Sequence, residues 1–424
     1  MCAAPLLSSA CDVIVVRGAA TGDGSVVLVG LYQWSDSLDQ PYCLRHADRQ
    51  THAAGSTVAL SCRVVPQVPQ TWAYNYVHCR WRGAEDRVPA VVHAVNEWGL
   101  AIASNSLFCG EPREKKPEGV DFLDVNRLVA ERARDARQAV ALIGHLIDSY
   151  GYAMHGKDRD DGQLWAVADC REAWVVECLG GQQWVARRIE EDVYNGSNTP
   201  TITDRYDLGS DVVRYARDHG WLDSPKTFNW ARDFAPPQAG WQDRYLAISR
   251  HLADAARAGP ITPERIVEML RSPVFTRIKG FDQIQSAMIA HLRPGVPPEL
   301  RAKAYFAAGP DAGERPFVPL YACHRAGWHD VPDHDAVLQS RARLAVPRDA
   351  CIAYERWAWQ QSLAVEHDGN GAAQQPSAES RAPRLQCFHD TVLQRAADVY
   401  AQAAAAPSLP ETRAEAMLPA SDPK

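Results

Sequence analysis

Cys11-Asp-Val-Ile-Val-Val-Arg-Gly-Ala-Ala-Thr-Gly-Asp-Gly-Ser25, continuing into Val26-Val-Leu-Val29, is the stretch on which the reading of this chain turns. Residues 11–16 run from a cysteine into β-branched apolar positions and read as a strand; residues 25–29 read as a second. Between them, residues 18–24 carry turn chemistry that ends in Asp23-Gly24, so the pair is expected to form a β-hairpin.

Working outward, residues 1–10 are short, rich in small residues and aperiodic. Further strands are expected at residues 57–65, 71–77, 90–95 and 100–103, which makes the chain mostly sheet as far as residue 110. Residues 124–150 then change period. Val125, Leu128, Val129, Ala136, Val140, Ile143 and Ile147 recur at helical spacing, and Gly151 follows as a C-cap. A three-strand meander is expected over residues 164–168, 173–178 and 184–189, with turns at 169–171 and at Gly180-Gly181. Residues 211–219, 242–257 and 260–270 read as helices, the last opening on Thr262-Pro-Glu-Arg265. Residues 285–292 and 302–308 read as strands and 337–344 as a helix. Residues 367–383, rich in Gly, Ala, Gln and Ser, read as a flexible insert. A helix from 385 to about 403 and a disordered tail complete the 384–424 segment, and no internal repeat is found. This order of elements implies an α+β fold, with sheets sandwiched between helix layers in one main domain over residues 11–366.

The bulk numbers are those of a globular protein: 424 residues, 46% hydrophobic, 23% charged, net charge −7. No basic stripe points to nucleic acid. No stretch of ~18 apolar residues predicts a membrane span. The segment before Cys11 is too short for a secretory signal, which needs roughly 15–30 residues. The cysteines number eleven, irregularly spaced and without a CxxC pair. They are expected to be mostly buried, reduced packing residues, which suits the cytoplasm.

At Cys11 the chain resembles mature peptidases of the C69 dipeptidase family, in which a cysteine opens a strand and an Asp-Gly-Ser turn leads to the next. Val68-Pro-Gln-Thr71, Ala94-Val-Asn-Glu-Trp-Gly-Leu100, Glu111-Pro112, Glu172-Ala-Trp-Val-Val-Glu177, Trp184-Val-Ala-Arg187 and Asn198-Thr-Pro-Thr-Ile202 are similar to its secernin branch. Phe317-Val-Pro-Leu-Tyr321 is similar to a late family segment, so the resemblance covers roughly residues 11–325. Their order and spacing carry it more than any one piece. The resemblance implies an αββα N-terminal-nucleophile (Ntn) hydrolase sandwich. It also implies hydrolysis of a dipeptide or similar small amide by a self-processed thiol enzyme.

An N-terminal cysteine can supply both the nucleophile and, in its α-amine, the proton acceptor. Residues 1–10 are therefore expected to be a propeptide cut between Ala10 and Cys11. A buried packing cysteine is the plain alternative for Cys11. Cys2 is a rival nucleophile, but its neighbours do not read as a strand. The resemblance places an oxyanion-hole asparagine at Asn96 and a substrate- and nucleophile-positioning amide at Asn198; each could instead be a loop asparagine bonded locally. One departure stands out. Where the family carries an Asn-x-Asp run, this chain has Gly30-Leu-Tyr-Gln33. Gln33 could hydrogen-bond the amine but not carry its counter-charge. Asp36 could substitute only from a bulged loop, and Asp12 is expected to face solvent.

His324, His329 and His334 lie near Asp330, Asp333 and Asp335, but their spacing fits no helical ligand pair, and a solvated polar loop is expected. Trp72, Trp81, Trp98 and Trp184 are expected in the core, with a pocket lining as the alternative. The reading that follows is a cytoplasmic cysteine Ntn amidohydrolase, with no cofactor or metal and a small peptide or amide as substrate. No nucleic-acid or membrane partner is expected, and the resemblance allows a homo-oligomer. A secernin-like binding protein without turnover, favoured by the lost Asn-x-Asp run, and a biosynthetic acyltransferase using the same acyl-enzyme remain open.

Overall fold

A computed structural model describes residues 11–33, 42–79, 89–107, 118–153, 162–222, 227–234, 239–276, 284–308, 315–322, 347–366 and 378–405. Every residue of β1 (Asp12–Val16) and β2 (Val26–Tyr32) is buried, and side-chain parity divides them between two cores. Cys11, Val13 and Val15, with Val26, Leu28 and Tyr32, enter one; Ile14, Val16, Val27, Val29 and Leu31 enter the other. Successive strand side chains point to opposite faces, so a hairpin buried at every position must lie in an inner layer, covered on both sides.

That hairpin is the centre of a six-stranded sheet, antiparallel throughout. Its order is β14 (Val193–Gly196), β1, β2, β16 (Ser286–Leu292), β17 (Ala302–Ala308) and β18 (Val318–Tyr321). The second sheet has eight strands, in the order β15 (Leu208–Gly209), β13 (Trp184–Arg188), β12 (Ala173–Cys178), β11 (Gly162–Ala168), β10 (Ala101–Leu107), β9 (Val91–Asn96), β8 (Tyr74–Cys79) and β3 (Tyr42–Ala47). β4 (Gln50–Thr51) pairs with β7 (Gln70–Thr71), and β5 (Thr57–Ala59) with β6 (Val64–Pro66), as small ribbons.

The sheets meet where β10 and β11 cross β2. Gly30 marks a close approach: a Cβ there would sit 2.6 Å from His93 Nδ1 and 2.7 Å from the Ala103 Cβ. Burial holds His93 neutral, pushing its pKa down to about 3. Outside the first sheet lie α4 (Ala239–Ala258), α5 (Pro263–Leu270) and α6 (Pro273–Thr276), which contribute Ile248, Leu252, Ile266, Leu270 and Phe275 to the outer core. Outside the second lie α1 (Phe122–Arg132) and α2 (Ala136–Tyr150). The result is the expected α+β, αββα sandwich. The shorter α3 (Val212–Asp218) and α7 (Pro298–Arg301) complete the set, and α8 (Arg348–Glu366) and α9 (Ala378–Ala405) pack on each other and on β18.

The hairpin, the meander and the strands at β16 and β17 lie where the sequence places them. Residues 124–150 are two helices rather than one. Asp135 ends the continuity by capping α2, accepting from Gln138 N at 2.9 Å, while Asp121 and Asp124 form a capping box at the start of α1. Residues 57–65 are not one strand but β5, a turn and β6. α8 was not anticipated, and α9 begins at Ala378, so it takes in residues 378–383 of the expected insert. The helix expected at 337–344, Asp36, Trp81, Cys2 and the His324–Asp335 cluster lie outside the described residues.

Candidate active site

Cys11 sits just ahead of β1, buried, on the face of the first sheet that looks toward the second. Its main-chain nitrogen donates to Asn198 Oδ1 at 2.8 Å. Asn198 follows β14, the strand paired to β1, and its φ of 53° is in the left-handed region that asparagine tolerates better than most residues. Its side chain is fully buried and engaged at both ends, because Nδ2 donates to Ser106 O at 2.7 Å. Asn198 thus bridges the two sheets with its amide and meets the Cys11 nitrogen on the way.

Asn105 on β10 makes a second bridge. Its Nδ2 donates to Gly196 O and, at 3.4 Å, to Cys11 O. The Cys11 thiol lies 3.7 Å from Gln33 O, at the end of β2. The Gln33 side chain, also buried, donates from Nε2 to Phe275 O at 3.2 Å. The Gln33 side chain is thus turned to Phe275 rather than to the Cys11 nitrogen, which Asn198 holds instead. Gln33 Oε1, Asn105 Oδ1 and Thr199 Oγ1 are buried without a hydrogen-bond partner among the described residues.

Asp12 corrects an expectation. Parity turns it away from Cys11 toward the helix layer, but it is fully buried there and forms an ion pair with Arg244 of α4. Its charge lies on the opposite face of the strand from the thiol.

Asn96 is not brought to Cys11. It ends β9, and its turn leads into β10 at Ala101, four residues (about 13 Å of strand) before Asn105. Its Nδ2 donates to Ala130 O at 3.0 Å and Ala133 O at 2.8 Å, where α1 ends, and its Oδ1 accepts from Trp98 N and Leu100 N, each at 3.1 Å. Both amide hydrogens are engaged, which leaves none for an oxyanion beside Cys11. Asn96 instead satisfies carbonyls that the end of a helix leaves without partners.

Trp72 and Trp184 are buried as expected, whereas Trp98 is exposed, against the expectation. Trp72 and Trp98 meet edge to face at 5.3 Å with Arg134 over both rings, and Trp184 Nε1 donates to Asp148 Oδ1 at 2.8 Å. Among the described cysteines none is in a disulfide; Cys79, Cys178 and Cys351 are buried like Cys11, whereas Cys62 and Cys387 are exposed. Ser25, Asp23 and His291 also meet, but the serine and the aspartate both approach the same ring nitrogen, Nε2, so they do not form a proton relay. No metal-binding group of His, Cys, Asp and Glu exists among the described residues. No helix among them is long and apolar enough to cross a membrane.

Asn105, which bonds Cys11 O, and Glu177 were not singled out from the sequence. Asn105 lies in Ser104-Asn-Ser106, a polar run inside a strand with every residue buried, and that run is a readable signal. Glu177 is a lone carboxylate near the end of the apolar strand β12.

An αββα sandwich whose inner hairpin opens on a buried cysteine is the plan of the N-terminal-nucleophile hydrolases, and this chain has that fold. It belongs to peptidase family C69: residues 10–251 match the sequence model described as Peptidase family C69. The chain is similar to a protein named "Dipeptidase" from Bifidobacterium longum (strain NCC 2705), 29% identical over 93 residues, which are 22% of this chain and 16% of that protein. It is also similar to "Probable dipeptidase A" from Streptococcus pyogenes serotype M3 (strain SSI-1), 32% identical over 106 residues, 24% of this chain and 21% of that protein. The matched segments thus span about a fifth of the length of these curated relatives. Among solved structures, a mutant conjugated bile acid hydrolase from Clostridium perfringens aligns over 75% of this chain and 97% of its own, at 11% identity and a TM-score of 0.44.

Proposed function

We propose that the chain hydrolyses a dipeptide or another small amide through an acyl-enzyme on Cys11, after cleavage between Ala10 and Cys11 frees the cysteine amine. The observation that carries this reading is the 2.8 Å bond between the Cys11 nitrogen and Asn198 Oδ1. Once that nitrogen is an amine, the same acceptor takes one of its hydrogens and turns the lone pair toward the thiol. The amine then accepts the thiol proton, directly or through a water, and the sulfur attacks the substrate carbonyl. A C–S bond forms and the carbonyl oxygen becomes an oxyanion. The donors we assign to it, in place of Asn96, are the Asn198 Nδ2 hydrogen not held by Ser106 O and the Asn105 Nδ2 hydrogen whose 3.4 Å bond to Cys11 O is long and readily given up. The ammonium returns its proton to the leaving nitrogen as the C–N bond breaks. Water, activated by the same amine, then releases the acyl group. Acyl transfer would differ only in an amine taking the place of this water.

A second reading has its own support. The thiol faces a main-chain carbonyl, the neighbouring Gln33 is neutral, and its amide hydrogens point to Phe275 O. Those features suit a secernin-like protein that binds without turnover. The two readings separate on intact-mass and N-terminal analysis of the purified chain before and after incubation with unblocked dipeptides and a thiol-directed ester. Hydrolysis predicts a chain beginning at Cys11, an acyl adduct on it, and loss of adduct and turnover together in Cys11→Ala. Turnover by Cys11→Ala, or by a chain that retains Ala10, would sink the proposal.

A further inference from the structure

The loop that presents Asn198 is pinned at two points. At its start, Gly196 O accepts from Asn105. At its far end lies a buried carboxylate. Glu177 Oε1 accepts from Thr201 N at 2.7 Å, Thr201 Oγ1 at 2.7 Å and Ile202 N at 3.2 Å, and Oε2 accepts from Trp230 Nε1 at 2.8 Å. The Thr201 hydroxyl, which donates to Glu177, is itself 2.8 Å from Tyr194 OH on β14. Asn198 stands between the two pins in a left-handed conformation, and Pro200, two residues on, fixes φ one residue before Thr201.

The chemistry calls for a carboxylate in particular. Four donors converge on Glu177 and none of its contacts is an acceptor. A glutamine could serve three of them through its oxygen, but its NH₂ would face the Trp230 N–H, donor against donor. Among the described residues no cation forms an ion pair with Glu177. The charged or titratable groups that face it are Arg187 of β13 and Tyr194 of β14. A scaffold that needed only packing here would bury an apolar side chain at lower cost.

We propose that Glu177 is a positioning residue for the reaction: by holding Thr201 and Ile202 it fixes the loop that keeps the Asn198 amide on the Cys11 nitrogen. This rests on the reading of Cys11 as nucleophile. Burial lifts the Glu177 carboxyl to about 7, so the lock weakens as pH falls through neutrality and the group takes up a proton.

The test compares full-length Glu177→Gln, Trp230→Phe and Cys11→Ala with the wild type, using a panel of unblocked dipeptides and amide hydrogen exchange. Glu177→Gln is expected to lower kcat about 10–100-fold, the scale of a displacement near 1 Å, with KM within about threefold. The thermal midpoint should not fall, exchange at Thr201 and Ile202 should accelerate, and the loss of kcat below about pH 7 should flatten. Trp230→Phe, which removes one donor, should do the same to a smaller degree. Wild-type kcat in Glu177→Gln beside an inactive Cys11→Ala would overturn this inference alone, as would a kcat loss that only tracks the unfolded fraction. An active Cys11→Ala would overturn the nucleophile reading and this inference with it. If the wild type turns over no dipeptide, the nucleophile reading fails, and unchanged exchange at Thr201 and Ile202 in Glu177→Gln then overturns the lock as well.

Discussion

The side chain of Asn198 accepts a hydrogen bond from the backbone of Cys11, a residue 187 positions earlier in the chain. Asn198→Ala removes that acceptor and also leaves Ser106 O without its donor. Losing an oriented proton acceptor is expected to lower kcat about 10²-fold. A buried carbonyl left unpaired should lower stability by about 1–3 kcal/mol. Asn198→Asp keeps the acceptor and loses the donor, so its kcat should lie between the two. Steady-state kinetics with urea denaturation check both effects, and an Asn198→Ala variant with wild-type kcat would remove Asn198 from the reaction.

Gln33 is the uncharged residue whose main-chain oxygen meets the thiol. A free α-amine titrates near 8, and no anion at position 33 stabilises its protonated form. Gln33→Glu would place a carboxylate there, favour the ammonium and raise the amine's pKa by about 1–2. The rising limb of kcat/KM against pH should then move to higher pH by that amount. A limb that stays in place would show that this amine is not the proton acceptor.

Asp12 and Arg244 are a buried ion pair one residue from Cys11. Arg244→Ala strands a fully buried carboxylate and should cost about 3–5 kcal/mol, whereas Asp12→Asn with Arg244→Met together should cost much less. Denaturant midpoints of the single and double variants test this, and equal losses in both would contradict it.

Glu177 should tilt the pH dependence of stability. Its carboxyl is raised in the folded state from 4.5 to about 7, so between those values the folded chain holds the extra proton. Stability from this group is full below about 4.5, falls as pH rises toward 7 and is flat above. The difference is roughly 3 kcal/mol at about 1.4 kcal/mol per pKa unit. Glu177→Gln should abolish this slope, so the wild-type-minus-variant difference in unfolding free energy should change between pH 5 and pH 8. A difference constant with pH would refute it.

Asn96→Ala should behave as a structural change. It leaves the carbonyls of Ala130 and Ala133 without their donor and should cost about 1–3 kcal/mol. Turnover per folded molecule should remain at the wild-type level. A drop of about 10² at full folding would return Asn96 to the oxyanion role that the resemblance assigned.

The hairpin, the meander and the capped helix α5 were legible because their signals are local: apolar runs at strand spacing, Gly180-Gly181, and Thr262-Pro263 at a helix start. The break between α1 and α2 was legible too, in Asp135, but apolar spacing across residues 124–150 masked it. The contacts that build the site carry no such local signal. Asn105 with Gly196, Glu177 with Thr201 and Arg244 with Asp12 join residues far apart in sequence, and neither periodicity nor capping rules reach that far. The pairing of Cys11 with Asn198 was approached through resemblance rather than pattern. The same resemblance pointed to Asn96, whose amide here serves a helix terminus, because a strand-end asparagine serves either role as readily.

The alternation along β1 means that backbone register alone decides which chemistry faces which compartment. Cys11 opens toward the facing sheet and Asp12 toward α4. A shift of one residue against β2 would exchange them, delivering a carboxylate to the inter-sheet space and a thiol to the helix layer. β1 is paired along both edges, with Val13 opposite Gly30 on one side and Gly196 on the other. Deleting or inserting a single residue between Cys11 and Val13 would leave that pairing satisfied and every valine in place, yet it would turn the thiol to the wrong side of its own sheet.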